Sequence, residues 1–384
     1  VIQFFLDISE KLRNSQHLKW LAVIALLYFL LVAVRLLSTG FQLALGQQTE
    51  TLFTFATNPF LGLMIGILAT ALIQSSSTVS SIVVGLVAGG LPVATAIPII
   101  MGSNVGTTMT NTIVSLGYLK ETDEFKRAFA AATIHDCFNL CCLLLFFPLE
   151  LVFHPLEKLA KSIADLLLNP EQSWNILSFN VLDFVLNPLL KWLTAMTASL
   201  PTQFAGIGFA VLGILLILGT IFYLSKLLKA LLVGEAREIL HRAIGRTPLV
   251  SMLAGTGITC LIQSSSAATS LMIPLAGNGV FRLEQIYPFT LGTNIGTCLT
   301  ALLAATALTG EVAIPGLEIA LVHLLYNCLG VLTIYSLPFL RDIPLRGARL
   351  LAEMATRYQF AALGYIIMIF LGLPALGLGI TSRF

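Results

Sequence analysis

Two otherwise apolar stretches carry the same polar cluster: Gln74, Ser75, Ser76 and Ser77 within LIQSSST, and Gln263, Ser264, Ser265 and Ser266 within LIQSSSA. Their hydroxyls and amides are neutral donors and acceptors, so they can serve either an oxyanion or a desolvated cation. Downstream of the first cluster lies MGSNVGTTMT with Asn104, Thr107 and Thr110, and downstream of the second lies LGTNIGTCLT with Thr293, Asn294, Thr297 and Thr300. Threonines one helical turn apart present oxygens suited to a hard cation. Further on, IHDCFN and VHLLYN place His135 with Asn139 and His323 with Asn327 at i and i+4 on one helical face. Asp136 is a carboxylate inside an apolar stretch and a functional candidate by default; its counterpart is Leu324.

The three motifs recur in the same order at offsets of 189, 190 and 188 residues, which marks an internal duplication. A single run of serines in such a stretch reads more readily as a helix-packing surface. The glutamine and the verbatim repetition favour a site instead. For the two histidines the packing reading is retained.

The elements that must position these residues are membrane helices. Of 384 residues 57% are hydrophobic and 10% charged, against about 25% charged in soluble domains. Apolar stretches able to cross a core of roughly 30 Å lie near 18–38, 59–88, 92–119, 125–152, 204–232, 248–277, 285–308, 312–340 and 358–380. The expected fold is an all-α polytopic bundle. Residues 1–17 read as an interfacial helix, 18–152 as the first repeat, 153–203 as an outer connecting loop with short interfacial helices, 204–340 as the second repeat, and 341–384 as a C-terminal loop with a final membrane helix. The six cysteines fall within spans without zinc-ligand spacing, and a net charge of +2 without basic clusters excludes a nucleic-acid footprint.

Lysine and arginine mark cytoplasmic loops. Lys11, Arg13 and Lys19 put the N-terminal side inside, residues 39–58 hold no lysine or arginine, and Lys226, Lys229, Arg237, Arg242 and Arg246 put the equivalent segment of the second copy inside. The repeats are therefore expected to have inverted topology, the plan of many secondary transporters. Lys120, Lys126 and Arg127 then require an odd number of crossings between residues 59 and 119, so one element there must be re-entrant or broken. Gly85, Gly89, Gly90, Pro92, Pro98, Gly102 and Gly106 are the expected breaks, with Pro274, Gly277, Gly279, Pro288, Gly292 and Gly296 in the second copy. Arg35, near the end of its stretch, is expected to snorkel.

Broken helices at membrane depth expose N–H groups suited to an anion and carbonyls suited to a cation. No lysine or arginine falls within the repeated motifs, so an oxyanion held there would need accompanying cations.

In QSSST, IPIIMGSNVGTTMTNTIVSLG, RAFAAATIHDCFN and LGTNIGT the chain resembles the type II sodium-phosphate cotransporters, from its first span to about Leu340. The resemblance implies a bacterial-type member that imports inorganic phosphate with sodium as coupling ion, with no other cofactor, as a homodimer in the cell (inner) membrane. It implies a phosphate site of Gln74, Ser75, Ser76, Ser77, Asn104, Ser264, Ser265 and Ser266. It implies a sodium site of Gln263, Thr297 and Thr300, with Asn139 and Thr293 in a further one, and Asp136 as a sodium-binding residue that marks electrogenic members. Thr107, Thr110 and Asn294 are further candidates from the motifs themselves. The competing readings are a sodium-coupled carrier of another oxyanion or carboxylate, and an intramembrane serine hydrolase with Ser76 as nucleophile and His135 as base. Duplicating a nucleophile and base has no catalytic rationale, so the chain is not expected to be an enzyme.

Overall fold

The computed structural model describes residues 16–45, 58–168, 181–197 and 199–381, and among them it contains helices and turns without strands. Of the interfacial helix expected at 1–17, residues 1–15 lie outside the described residues, as do residues 46–57, and residues 16 and 17 open the first membrane helix. Among the described residues, six helices are long and apolar enough to cross a membrane: Gln16–Leu45, Thr122–Phe153, Thr202–Ala236, Leu283–Thr306, Gly310–Tyr335 and Phe360–Gly379. The protein is a multi-pass, all-α membrane protein.

The first helix, α1 (Gln16–Leu45), is followed by α2 (Pro59–Ile73), α3 (Ser76–Ala88), α4 (Val93–Gly106), α5 (Met109–Ser115) and α6 (Thr122–Phe153). At about 1.5 Å per residue, neither α2 nor α3 alone spans the hydrocarbon core. Leu63 lies against Gly102 and Ile67 against Gly106, so residue numbers rise together along α2 and α4. Two parallel helices joined through a third require that third to run back; α2 and α3 form a hairpin, and the chain then advances along α4 and α5.

Two connecting helices follow, α7 (Pro155–Leu168) and α8 (Val181–Met196), and α7 buries Leu156, Ala160 and Ala164, one stripe at helical spacing. The second copy comprises α9 (Thr202–Ala243), α10 (Pro248–Ile262), α11 (Ser265–Ser270), α12 (Met272–Gly277), α13 (Leu283–Thr306) and α14 (Ala313–Gly330). Met252 faces Gly292 and Thr256 faces Gly296, so α10 and α13 are parallel as well, and α11 with α12 forms the returning arm. The helices that open the copies, α1 and α9, run antiparallel: Gly40 meets Ala210, Leu37 meets Gly213, and Val23 packs with Leu224 and Leu228.

The motif glycines are closure points and not breaks, contrary to the sequence expectation. A Cβ at Gly102 or Gly292 would overlap the carbonyl oxygen of Leu63 or Met252, so glycine lets each helix pair approach backbone to backbone. Pro98 and Pro288 sit inside continuous helices. The junctions at Gly89, Gly90 and Pro92, at Gly106, and at Gly277 and Gly279 do coincide with helix ends. The decisive breaks fall on the two glutamines.

Arg35 also departs from expectation. It is buried, pairs with Asp183, and donates to the Ala307 carbonyl, to Asn187 Oδ1 at 3.0 Å and to Thr309 Oγ1 at 2.9 Å. Helix α1 continues ten residues past it, out of snorkelling reach of its end, and the guanidinium instead ties α1 to α8 and to the end of α13. Finally, residues 338–357, most of which were expected to be loop, form the amphipathic α15 (Pro338–Arg357), with Leu345, Ala348, Ala352 and Ala355 turned inward. Helices α16 (Gln359–Ile367) and α17 (Leu373–Thr381), joined through a π-helical turn, complete the fold.

Candidate functional site

The glutamines end their helices in the left-handed region, Gln74 with φ 58° and ψ 30° and Gln263 with φ 56° and ψ 31°. Such a conformation costs a non-glycine residue about 1–2 kcal/mol. Glycine would relieve that cost, so the side chain is the reason to look for a role here. The next residues are extended, Ser75 at φ −152° and Ser264 at φ −155°, and each caps the following helix: Ser75 Oγ accepts the Thr78 amide and Ser264 Oγ accepts the Ala267 amide, both at 3.2 Å. One residue further, the amides of Val79 and Ala268 bond to the carbonyls of the same two serines. The amides of Ser76, Ser77, Ser265 and Ser266 precede the first intrahelical bond and remain free to donate.

Both turns line one cavity of about 650 Å³, the first through Ser75, Ser76 and Ser77 and the second through Ser264, Ser265 and Ser266. Helix α9 forms a third wall through Ser225, Lys226 and Lys229. Four convergent amides, serine hydroxyls and the positive ends of two broken helices make this a binding place for an oxyanion. Gln74 lies in the wall and is exposed to the cavity.

Gln263 turns the other way. Its Oε1 accepts the Thr300 hydroxyl at 2.7 Å, its Nε2 donates to the Cys260 carbonyl at 2.7 Å, and Thr297 stands one turn before Thr300. These buried oxygens, whose donors are already engaged, keep lone pairs for a desolvated cation. The first copy does not reproduce the arrangement. Its second motif breaks at Thr107 and Thr108 between α4 and α5, whereas α13 runs on unbroken, and Thr110 is half-buried.

Asn104 is not at the cavity. It sits buried between the copies, where His323 Nε2 approaches its Oδ1 at 3.2 Å and its Nδ2 donates to Asn327 Oδ1 at 3.2 Å. The reciprocal contact is His135 Nε2 on Asn294 Oδ1, with Asn294 Nδ2 donating to Asn139 Oδ1 at 2.7 Å. The histidines are thus hydrogen-bonded joints between the copies, and His135 is directed to Asn294 and not to Ser76. Thr293 faces Thr269, at 3.4 Å, and the next residue, Asn294, is the one bonded to Asn139. Thr107 contributes its carbonyl, at 3.4 Å from the Ser266 hydroxyl.

Asp136 is buried, and its Oδ2 accepts Thr112 Oγ1 at 3.3 Å and the Tyr365 hydroxyl at 3.0 Å. Its Oδ1 is buried with no hydrogen-bond partner, a carboxylate oxygen open to a cation. Sequence reading missed Thr112, Tyr365, Ser225, Lys226 and Lys229 as site residues. Tyr365 and the lysines lie outside the duplicated motifs, and no local pattern marks them. The lysines were read only as topology signals.

The Na+/Pi-cotransporter family profile matches residues 29–168 and 215–336, two blocks that each hold one set of the motifs. The chain belongs to the Na+/Pi-cotransporter family. It is 32% identical to human sodium-dependent phosphate transport protein 2B, over 94% of this chain and 64% of that protein. It is likewise 32% identical to rat sodium-dependent phosphate transport protein 2A and 34% identical to the mouse 2A protein, each over 97% of this chain and 70% of the relative. The chain thus spans a little under two thirds of the human 2B protein's length. No solved structure matches it.

Proposed function

We propose that this family member is a sodium-coupled symporter that imports inorganic phosphate by alternating access. The observation that carries the reading is the convergence of the two left-handed glutamine turns, which deliver four free amides and paired serines to one cavity. The relatives' names supply the substrate and the coupling ion. Phosphate occupies the amides and hydroxyls of Ser75, Ser76, Ser77, Ser264, Ser265 and Ser266, and one sodium ion binds at Gln263, Thr297 and Thr300. A further cation sits at Asp136 Oδ1, which makes transport electrogenic.

The antiparallel packing of α1 and α9, together with the exchange of equivalent asparagine and histidine contacts, supports an inverted repeat whose halves rock about their common interface. The protein works as a homodimer in the cell membrane. Uptake of radiolabelled phosphate into proteoliposomes tests the reading. Accumulation should require an inward sodium gradient, fail with potassium or proton gradients, and resist excess sulfate; accumulation that tracks sulfate competition instead assigns the carrier to another oxyanion.

A further inference from the structure

Asp136 and the threonine bonded to it belong to one copy only. At the offsets of the duplication Thr112 corresponds to Leu302 and Asp136 to Leu324, so the second copy is apolar where the first has a hydroxyl and a carboxylate. A third group joins them from outside the duplication. Tyr365 of α16 lies beyond the matched blocks 29–168 and 215–336, and its hydroxyl donates to Asp136 Oδ2 at 3.0 Å. Thr112 is a divided donor, because its single hydrogen has the Thr108 carbonyl at 3.2 Å and Asp136 Oδ2 at 3.3 Å to choose between. Among the described residues Tyr365 gives its hydrogen to Asp136 alone.

The ring that aims this hydroxyl is held independently of it. Tyr365 packs edge-on against Phe370, with ring centroids 6.2 Å apart, and Phe370 is buried in a cluster with Ile366 and with Ala71 of α2. Asp136 itself enters no ion pair among the described residues, and its second oxygen, Oδ1, is buried without a hydrogen-bond partner.

Resting on the reading of Asp136 as a cation site, we infer that Tyr365 is its positioning residue: by holding Oδ2 from outside both copies, it fixes the carboxylate so that Oδ1 meets the coupling sodium ion. A buried carboxylate with no basic partner keeps its charge only where hydrogen bonds and a cation offset the loss of water. Tyr365 supplies the committed hydrogen bond. A carboxylate anchored through one oxygen presents the other in a set direction, so less ordering remains to be done when the ion arrives.

Tyr365→Phe removes the hydroxyl and keeps the ring. Uptake of radiolabelled phosphate into proteoliposomes is measured against sodium concentration, at zero and at inside-negative potential, for the wild type, Y365F, D136G and the Y365F/D136G pair. Y365F should need roughly tenfold more sodium for half-maximal uptake, the worth of one hydrogen bond to a charged group, and should lose part of the voltage response. In the D136G background the same change should do nothing, since Tyr365 acts through the carboxylate. Y358F, which alters an exposed tyrosine seven residues earlier, should behave as wild type. Wild-type sodium and voltage dependence in Y365F overturns the inference. An equal loss with and without Asp136 also overturns it, because it assigns the hydroxyl to packing of α16. Failure of the underlying reading looks different: a wild type without sodium-dependent uptake, or a D136G variant that keeps the full voltage response, removes the cation site and the inference with it.

Discussion

Gln74 and Gln263 hold their backbones at φ 58° and 56°, where glycine would be at ease, and this separates what the turn needs from what the site needs. If the Gln263 amide is a sodium ligand, Gln263→Gly keeps the turn, changes stability by no more than about 1 kcal/mol, and abolishes sodium-dependent uptake. Thermal unfolding of the detergent-solubilised variant beside a sodium titration of uptake checks this, and wild-type sodium dependence would remove Gln263 from the site. Thr300→Val should match it, since it deletes the hydroxyl that Gln263 Oε1 accepts. Asp136 carries a different expectation. A cation at its open Oδ1 adds a net charge to each cycle, and an inside-negative potential then drives uptake by about 2.3 kcal/mol per charge per 100 mV. Asp136→Gly should retain sodium-dependent uptake and lose its voltage response, and uptake that stays equally voltage-sensitive would confine Asp136 to a structural role with Thr112 and Tyr365. These residues were legible in the sequence because they repeat, or because, like Asp136, they interrupt the repeat. The family resemblance placed Asn104 with the phosphate ligands, and the structure puts it between the copies with His323 and Asn327, a distinction that no spacing rule contains.

At the level of helices, the hairpins were legible as a counting requirement: loop charges demanded an odd number of crossings, and a returning arm satisfies it. The position of the turn was not legible. Propensity assigns breaks to glycine and proline, but Gly102 and Gly292 are spent on contact with the carbonyls of Leu63 and Met252, and the bend falls on glutamine. Arg35 was misread for a related reason, since its partners Asp183, Asn187 and Ala307 lie some 150 or more residues away. The glycine assignment predicts that Gly292→Val, which cannot fit without parting α10 from α13, destabilises the protein by several kcal/mol. Gly208→Val, with nothing within 4 Å of the added Cβ, should behave as wild type. Fluorescence-detected size exclusion after a temperature ramp reads both, and equal survival would show that the helix pair yields easily.

Across the whole molecule, the antiparallel α1 and α9 and the reciprocal contacts of Asn104 and Asn294 support the proposal that the halves face opposite sides of the membrane. Single cysteines at Gln48 and at Arg237, in a background without native cysteines, should label from opposite faces. Labelling of both from one face would end the inverted-repeat proposal. The equivalent turns of the two halves line one cavity, and the central claim is that together they make one binding site. The stoichiometry of phosphate bound to the purified chain in saturating sodium tests that claim, with Ser76→Ala and Ser265→Ala measured alongside the wild type. One phosphate per chain, weakened by either substitution, is the predicted result; two phosphates per chain, each weakened by only one of the substitutions, would contradict it.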